Sequence, residues 1–432
     1  MVLTSHGGRI SFRAADRARK AIDAAIAVPA DELARIFTAF DAARIACDAE
    51  ALDRDDKRRS GPLAGLTVSI KDLFDEEGIV TTAGSGILAT EAPAKRDAET
   101  VARLKTAGAL PCGRTTMSEF AYSGVGLNPH FGNPGNARDG RRITGGSTSG
   151  GAVSVARGIV DVALGSDTGG SVRIPAALNG IAGFKPTQTS VPLDGAFPLS
   201  GSYDSIGPLA HTIAVCAAVH AVLSASAPGE KAPAKPKLGV AHGVLLEGLD
   251  AQVAADFERA LQRLSSAGFD LVDADLPGLE DFGRANRVIV ASEAHAIHRA
   301  RLAALETKGD PRVLKRIRAA ESFADGEDAE VRAMRKAGIA AFAEAAQGFD
   351  AFLAPTIPTV APLIADAEAD FDRLNALMLR NPSSVNFLDG CAATVPMQGD
   401  QQLATGLMVF APGGRDWPVL DIAARAEATL AG

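Results

Sequence analysis

The chain has 432 residues, 47% of them hydrophobic, with 44 glycines and only one tryptophan and two tyrosines, which reads as a soluble α/β enzyme with ample core. Length alone suggests about three domains, although large α/β folds often run as one unit. The 52 acidic residues outnumber 44 basic ones, and the net charge of -8 argues against a broad nucleic-acid-binding face.

Residues 1 to about 60 contain no charged-then-apolar leader and no apolar run of about 18 residues, so the protein is expected to be cytoplasmic, neither exported nor membrane-spanning. From Asp31, just after Pro29, Leu33, Ile36, Phe37, Phe40 and Cys47 recur at helical spacing, with Asp31 as the cap. Such a helix packs on the domain, with a dimer contact as the alternative. The run Asp53 to Ser60 has mixed charge and reads as a solvated linker. Gly65 to Asp72 alternates apolar and polar residues like a strand entering a core, and Lys71 stands near its end. Neighbours on a strand face opposite ways, so Lys71 and Asp72 need not pair. Asp97 to Ala107 reads as a capped helix with Val101 and Leu104 on one face. Gly108 stops it, and Ala109 to Gly113 begins the next strand.

Two glycine-rich turns follow. Thr144-Gly145-Gly146-Ser147-Thr148-Ser149-Gly150-Gly151 is the first, and Asp167-Thr168-Gly169-Gly170-Ser171-Val172-Arg173 is the second, so Ser171 lies 24 residues after Ser147. A small-residue helix, Gly151 to Arg157, and a buried strand, Ile159 to Leu164, separate them, a span that returns the chain to one edge. A serine hydroxyl becomes a useful nucleophile when a base removes its proton and converging backbone N–H groups receive the developing charge. Glycine permits the backbone angles such convergence requires. A flexible loop or an anion-binding nest is the alternative. No Lys follows either turn as in a phosphate loop, and the G-x-S-x-G elbow is absent.

The base is the open question. Histidines at 6, 130, 211, 220, 242, 295 and 298 are scattered, and none stands in a setting that marks it as a partner. Lys71 is the other option, because a lysine buried without a carboxylate loses proton affinity through desolvation and can be neutral near pH 7.

Further along, residues 227 to 237 are rich in Pro, Ala and Lys and read as a surface connection, and 250 to 345 are helical by pattern, as in Val253, Phe257, Leu261 and Leu264. Val419 to Leu430 suits an amphipathic closing helix. Cys47, Cys112, Cys216 and Cys391 form no C-x-x-C pair and read mostly as small buried residues of a reducing compartment. His295 and His298 lack a third ligand nearby and read as surface helix residues, so no metal is assigned.

Lys71, Ser147 and Ser171 in their glycine-rich turns resemble the amidase signature family. Arg173-Ile174-Pro175-Ala176-Ala177, Gly183-Phe184-Lys185-Pro186-Thr187 and Asp204-Ser205-Ile206-Gly207-Pro208-Leu209-Ala210 follow in the family's order. Ala354-Pro355-Thr356-Ile357-Pro358 and Thr405-Gly406-Leu407-Met408 look like its C-terminal strands. The resemblance is strong over 62 to 210 and weak over about 220 to 345. It implies an α/β fold with a mixed, mainly parallel central sheet flanked by helices on both faces. It divides the chain into an N-terminal helical segment, 1–60, and one amidase signature domain, 61–432, whose substrate-specificity region spans about 220–380.

The resemblance also implies a triad in which Ser171 is the acyl-enzyme nucleophile, Ser147 the relay after a cis bond from Gly146, and Lys71 the general base and later the acid. The N–H groups of Thr168, Gly169, Gly170 and Ser171 would form the oxyanion hole. Tyr122 and Ser123 would touch the substrate, with packing beneath the glycine turns as the alternative. Arg173 would pair with Asp167 or another acid, or hold a substrate carboxylate. The expected activity is hydrolysis of a small-molecule carboxamide, carbamate or urea-type C–N bond, with no cofactor, nucleic acid or membrane, and with a homodimer plausible. The rivals are the glutaminase-type component of a tRNA-dependent amidotransferase and a non-catalytic binding module on the same fold.

Overall fold

The structure, a computed structural model, describes residues 13–279, 281–397 and 403–431. His6 lies outside the described residues. The strands are β1 (Phe37–Ala39), β2 (Thr67–Lys71), β3 (Leu110–Thr115), β4 (Val162–Ser166), β5 (Ala182–Lys185), β6 (Ile206–Ala210), β7 (Lys237–Ala241), β8 (Asp270–Ala274), β9 (Ala351–Pro355), β10 (Gly390–Pro396) and β11 (Gly406–Pro412). They join one sheet in the order β1-β3-β2-β4-β6-β5-β10-β11-β9-β7-β8.

The sheet is mixed, as expected, with parallel pairing confined to its flanks. Four pairings are parallel, β2 with β3 and β4 and β7 with β8 and β9, and six are antiparallel. The expectation of a mainly parallel sheet is corrected accordingly. A parallel neighbour needs a crossover of about a dozen residues or more, usually a helix. The link from β5 to β6 holds only a single 3-10 turn, and that from β10 to β11 is too short, so these strands fold back antiparallel.

Alternation along the strands gives the sheet two apolar faces. Val162 and Leu164 of β4, Ala393 and Val395 of β10 and Leu407 and Val409 of β11 share one core. On the opposite face, Ala163 belongs to a core built with the N-terminal helices, and Ala392, Met408 and Phe410 belong to another. Because both faces are covered, every residue of β2 is buried. Its polar residues therefore need partners inside, and the Thr67 hydroxyl donates to Asp161 at 2.7 Å while Ser69 and Ser154 share a hydrogen bond of 2.9 Å.

The N-terminal segment differs from the reading at several points. The apolar stripe from Leu33 to Cys47 is not one helix. A helix at Ala30–Ile36, capped by Pro29 and without an Asp31 side-chain cap, ends in β1, and Asp41 caps a second helix at Ala42–Arg54. Phe37 to Ala39 leave the helical path because β1 pairs with β3, a gain no local periodicity reports. Residues 1–60 thus contribute a strand to the common sheet and do not only pack on it. Cys47 is exposed, whereas Cys112, Cys216 and Cys391 are buried. Asp53 is no linker residue, since its carboxylate accepts from the N–H groups of Ala14 and Ala15 at the start of helix Ala14–Ile26. The helix at Glu99–Thr106 also lacks its expected side-chain cap, and Asp97 instead accepts from Glu77 N–H and Lys105.

Residues 250 to 345 are helical with one strand, β8, inserted. His298 is fully buried, not on the surface, and its ring lies 4.1 Å from that of Phe120 and 5.8 Å from that of Phe197, centroid to centroid. Burial pulls its pKa down to about 4, with nearby Arg301 acting in the same direction. No helix among the described residues is long and apolar enough to cross a membrane.

Candidate functional site

The parallel pair β2 and β4 ends at one edge of the sheet, and such C-terminal edges are where open α/β sheets hold their ligands. Lys71 is the last residue of β2, Ser166 the last of β4, and the turn 167–171 begins immediately after it. The other turn, 144–148, feeds the helix Ser149–Ala156, whose small residues let it lie close to the sheet. Gly150 makes that approach possible, because a Cβ there would stand 2.2 Å from the Ile36 carbonyl oxygen and 2.8 Å from the Thr116 nitrogen.

Lys71, Ser147 and Ser171 are brought to this edge. Lys71 is fully buried, and its Nζ lies 2.8 Å from Ser147 Oγ and 2.8 Å from Ser166 Oγ. The peptide bond between Gly146 and Ser147 is cis. Ser171 is joined to this turn through its carbonyl, which accepts from the Thr148 N–H at 3.3 Å. Its own side chain opens on a cavity of about 580 Å³, which neither Lys71 nor Ser147 lines. Ser166 escapes a reading of the sequence although it adjoins Asp167, because its hydroxyl acquires meaning only when β2 and β4 are paired.

Among the described residues, no carboxylate forms an ion pair with the amine. Desolvation lowers the Lys71 pKa from its usual value near 10.5 to about 7, against the pull of the buried carboxylates Asp167 and Asp204. Asp72 is turned away and pairs with Arg114 at 2.6 Å. Asp204 accepts from Thr168 Oγ1 at 2.6 Å and from the N–H groups of Leu199 and Ser200. Burial raises its pKa to about 6 even so, those hydrogen bonds opposing the rise.

Asp167 shapes the second turn. Burial alone would raise its pKa, but the Arg173 guanidinium, 2.9 Å away, holds it well below the usual carboxylate range. Both partners are wholly buried, and Arg173 also donates to Pro382 O and Asn386 Oδ1, so it is a structural residue as expected and not one that faces substrate. Asp167 Oδ1 accepts from the Gly170 N–H at 2.8 Å, and Oδ2 from Val172 at 3.2 Å. The assignment of Gly170 to the oxyanion hole is therefore corrected, because its donor is already held by a carboxylate. The N–H groups of Thr168, Gly169 and Ser171 have no acceptor among the described residues. Gly170 is required for its φ of +125°, and a Cβ there would meet Pro382 Cγ at 2.6 Å.

Tyr122 and Ser123 line the same cavity. Tyr122 is buried, and the Arg316 guanidinium carbon lies 4.4 Å from its ring centroid. The Ser123 hydroxyl donates to Asn375 Oδ1 at 3.3 Å and accepts from Val125 N–H at 3.1 Å, so packing already engages it. The remaining wall comes from the helices Phe282–His298, Pro311–Arg318 and Phe371–Phe387, which contribute Phe282, Asn286, Arg287, Arg316, Leu379 and Arg380. None of these was named individually from the sequence, although all lie within 220–380, because local pattern along these segments reports no convergence of side chains.

A pH dependence of turnover is expected if Lys71 is the base. A base must be uncharged, so kcat/KM is expected to rise with pH through an apparent pKa of about 7 as Lys71 loses its proton. The Asp204 carboxylate favours the charged amine, so Asp204→Asn is expected to move this limb to lower pH, and a rate profile from pH 5 to 9 would read both effects.

Known proteins share similarity with this sequence and fold. A sequence model of the family described as Amidase matches residues 18–420. The chain is 33% identical over 410 residues to the 2-amino-5-chloromuconic acid deaminase of Comamonas testosteroni, covering 91% of this chain and 88% of that protein. It is 32% identical over 430 residues to a glutamyl-tRNA(Gln) amidotransferase subunit of Streptococcus pneumoniae, covering 88% of this chain and 86% of the other. A crystal structure of an amidase superposes with a TM-score of 0.87 at 31% identity, over 97% of this chain and 96% of that one.

Proposed function

Because the chain belongs to the Amidase family and is an amidase signature hydrolase, we propose that it hydrolyses a small-molecule carboxamide, or a related carbamate or urea-type C–N acyl bond, through an acyl-enzyme on Ser171. One observation carries the reading: a fully buried lysine with no carboxylate partner among the described residues touches the Ser147 hydroxyl, while Ser171 lines the cavity. Ser171 Oγ attacks the carbonyl carbon, and its proton passes through Ser147 to the neutral Lys71 amine. The N–H groups of Thr168, Gly169 and Ser171 receive the oxyanion. The relay then runs in reverse, protonating the departing amine as the C–N bond breaks. Water attacks the ester by the same path and frees the acid, returning the proton to Ser171.

A fluorophosphonate tests this directly. The expected result is one adduct per chain on the peptide containing Ser171, lost in Ser171→Ala and slowed strongly in Lys71→Met. Labelling elsewhere overturns the nucleophile assignment, and no labelling favours a non-catalytic binding module. A second reading draws on the identity to the Streptococcus pneumoniae protein: release of ammonia from glutamine for a tRNA-dependent amidotransferase. Hydrolysis of simple amides by the isolated chain argues for the first reading, and turnover of glutamine only with partner proteins argues for the second.

A further inference from the structure

The cavity in front of Ser171 holds an unusual charge arrangement for a chain whose acids outnumber its bases. Arg287, Arg316 and Arg380 reach it from three different helices, and none makes an ion pair with a carboxylate among the described residues. Elsewhere several buried and half-buried arginines are matched, Arg114 with Asp72, Arg173 with Asp167 and Arg332 with Glu293, while others such as Arg58 and Arg335 are held by backbone carbonyls. In the cavity, Arg316 Nε and Arg380 Nη2 are buried donors with no acceptor at all among the described residues. Buried donors without acceptors are costly, and a guanidinium is shaped to give two parallel hydrogen bonds to a carboxylate. Desolvation lowers the Arg380 pKa, as for a cation without an adjacent counter-charge, and only Glu247 opposes it.

Among its described lining residues the cavity offers a cationic group no unpaired carboxylate. Its one lining carboxylate, Asp372, is 2.6 Å from Lys315. Its other unsatisfied group, Asn286 Oδ1, is a neutral acceptor suited to an amide N–H. The walls between these groups are apolar, with Phe282, Val290 and Leu379 among them.

We infer that the substrate is an anionic amide, carrying a carboxylate away from the scissile bond and no ammonium beside it, with Arg316 and Arg380 as the residues that select it. The inference rests on the reading of Ser171 as nucleophile and adds the substrate class. It also separates the two functional readings above, because glutamine carries an α-ammonium that this cavity leaves unpaired.

Three amides of one chain length test it: pentanamide, glutaramate and glutamine. Glutaramate is expected to exceed each of the others in kcat/KM by about tenfold or more, the scale of one charge-assisted bidentate contact. Arg316→Gln and Arg380→Gln are each expected to raise KM for glutaramate about 10- to 100-fold with kcat within about twofold, and to cut the preference for glutaramate over pentanamide by about the same factor, while the lysine variants recover part of the loss. Equal turnover of pentanamide and glutaramate, or variants that harm both alike, overturns the inference. Calorimetric binding of glutaramate and pentanamide to Ser171→Ala, with both arginines intact, needs no turnover. Preferential glutaramate binding there upholds the anion site even if another residue proves to be the nucleophile. Equal binding there sinks the anion site and leaves the nucleophile assignment standing.

Discussion

Replacing Ser171 by alanine is expected to reduce kcat by roughly ten-thousand-fold to a million-fold, the range seen when the nucleophile of a serine hydrolase is removed. The stability change should stay within about 1 kcal/mol, because the lost atom opens on the cavity and the Ser171 carbonyl keeps its bond from Thr148. The residual rate would come from the oxyanion donors and from substrate binding, which the substitution spares. Steady-state assays beside thermal melts separate the two quantities. Retention of full amide hydrolysis by a folded Ser171→Ala protein would remove the covalent mechanism.

The complementary experiment should unfold the site without touching the reacting atoms. Arg173→Met strips the wholly buried Asp167 of its counter-charge, and breaking one side of such a pair typically costs about 3–5 kcal/mol. A fall in the denaturant midpoint equal to that loss divided by m is expected, with m unchanged. Activity should fall as well, because Asp167 fixes the Gly170 and Val172 N–H groups and so the turn that presents Ser171. Arg173→Lys should recover only part of the loss, since a point charge cannot reach both Asp167 oxygens, Pro382 O and Asn386 Oδ1 together. A stability loss below about 1 kcal/mol would show that the buried pair is not what holds the turn.

These two residues also mark how far the sequence could be read. Ser171, Ser147 and Lys71 were legible because glycine-flanked serines and a lysine at a strand end carry a local chemical signature. The Arg173–Asp167 pair was legible because both ends lie in one short turn. What stayed hidden depends on packing between distant segments. Ser166 becomes a neighbour of Lys71 only when β4 pairs with β2. The Gly170 N–H looked available until the Asp167 side chain folded under it. Phe37 to Ala39 continue a helical stripe by spacing, yet β3 captures them as a strand. The arginines of the cavity sit on three amphipathic helices, and nothing along each helix tells that their tips converge opposite the glycine turns.

The seclusion of Lys71 has a further consequence. An amine half discharged at neutrality is a good acyl acceptor, and in the proposed mechanism it works beside a reactive ester. Transfer of the acyl group to it would create a stable internal amide and end the life of the enzyme. Lys71 does not line the cavity, and its nitrogen is engaged by the Ser147 and Ser166 hydroxyls, so in the proposed mechanism protons would reach it through a hydroxyl while carbon electrophiles would not. On that proposal, routing the proton by way of Ser147 would insulate the base from suicide by its own intermediate.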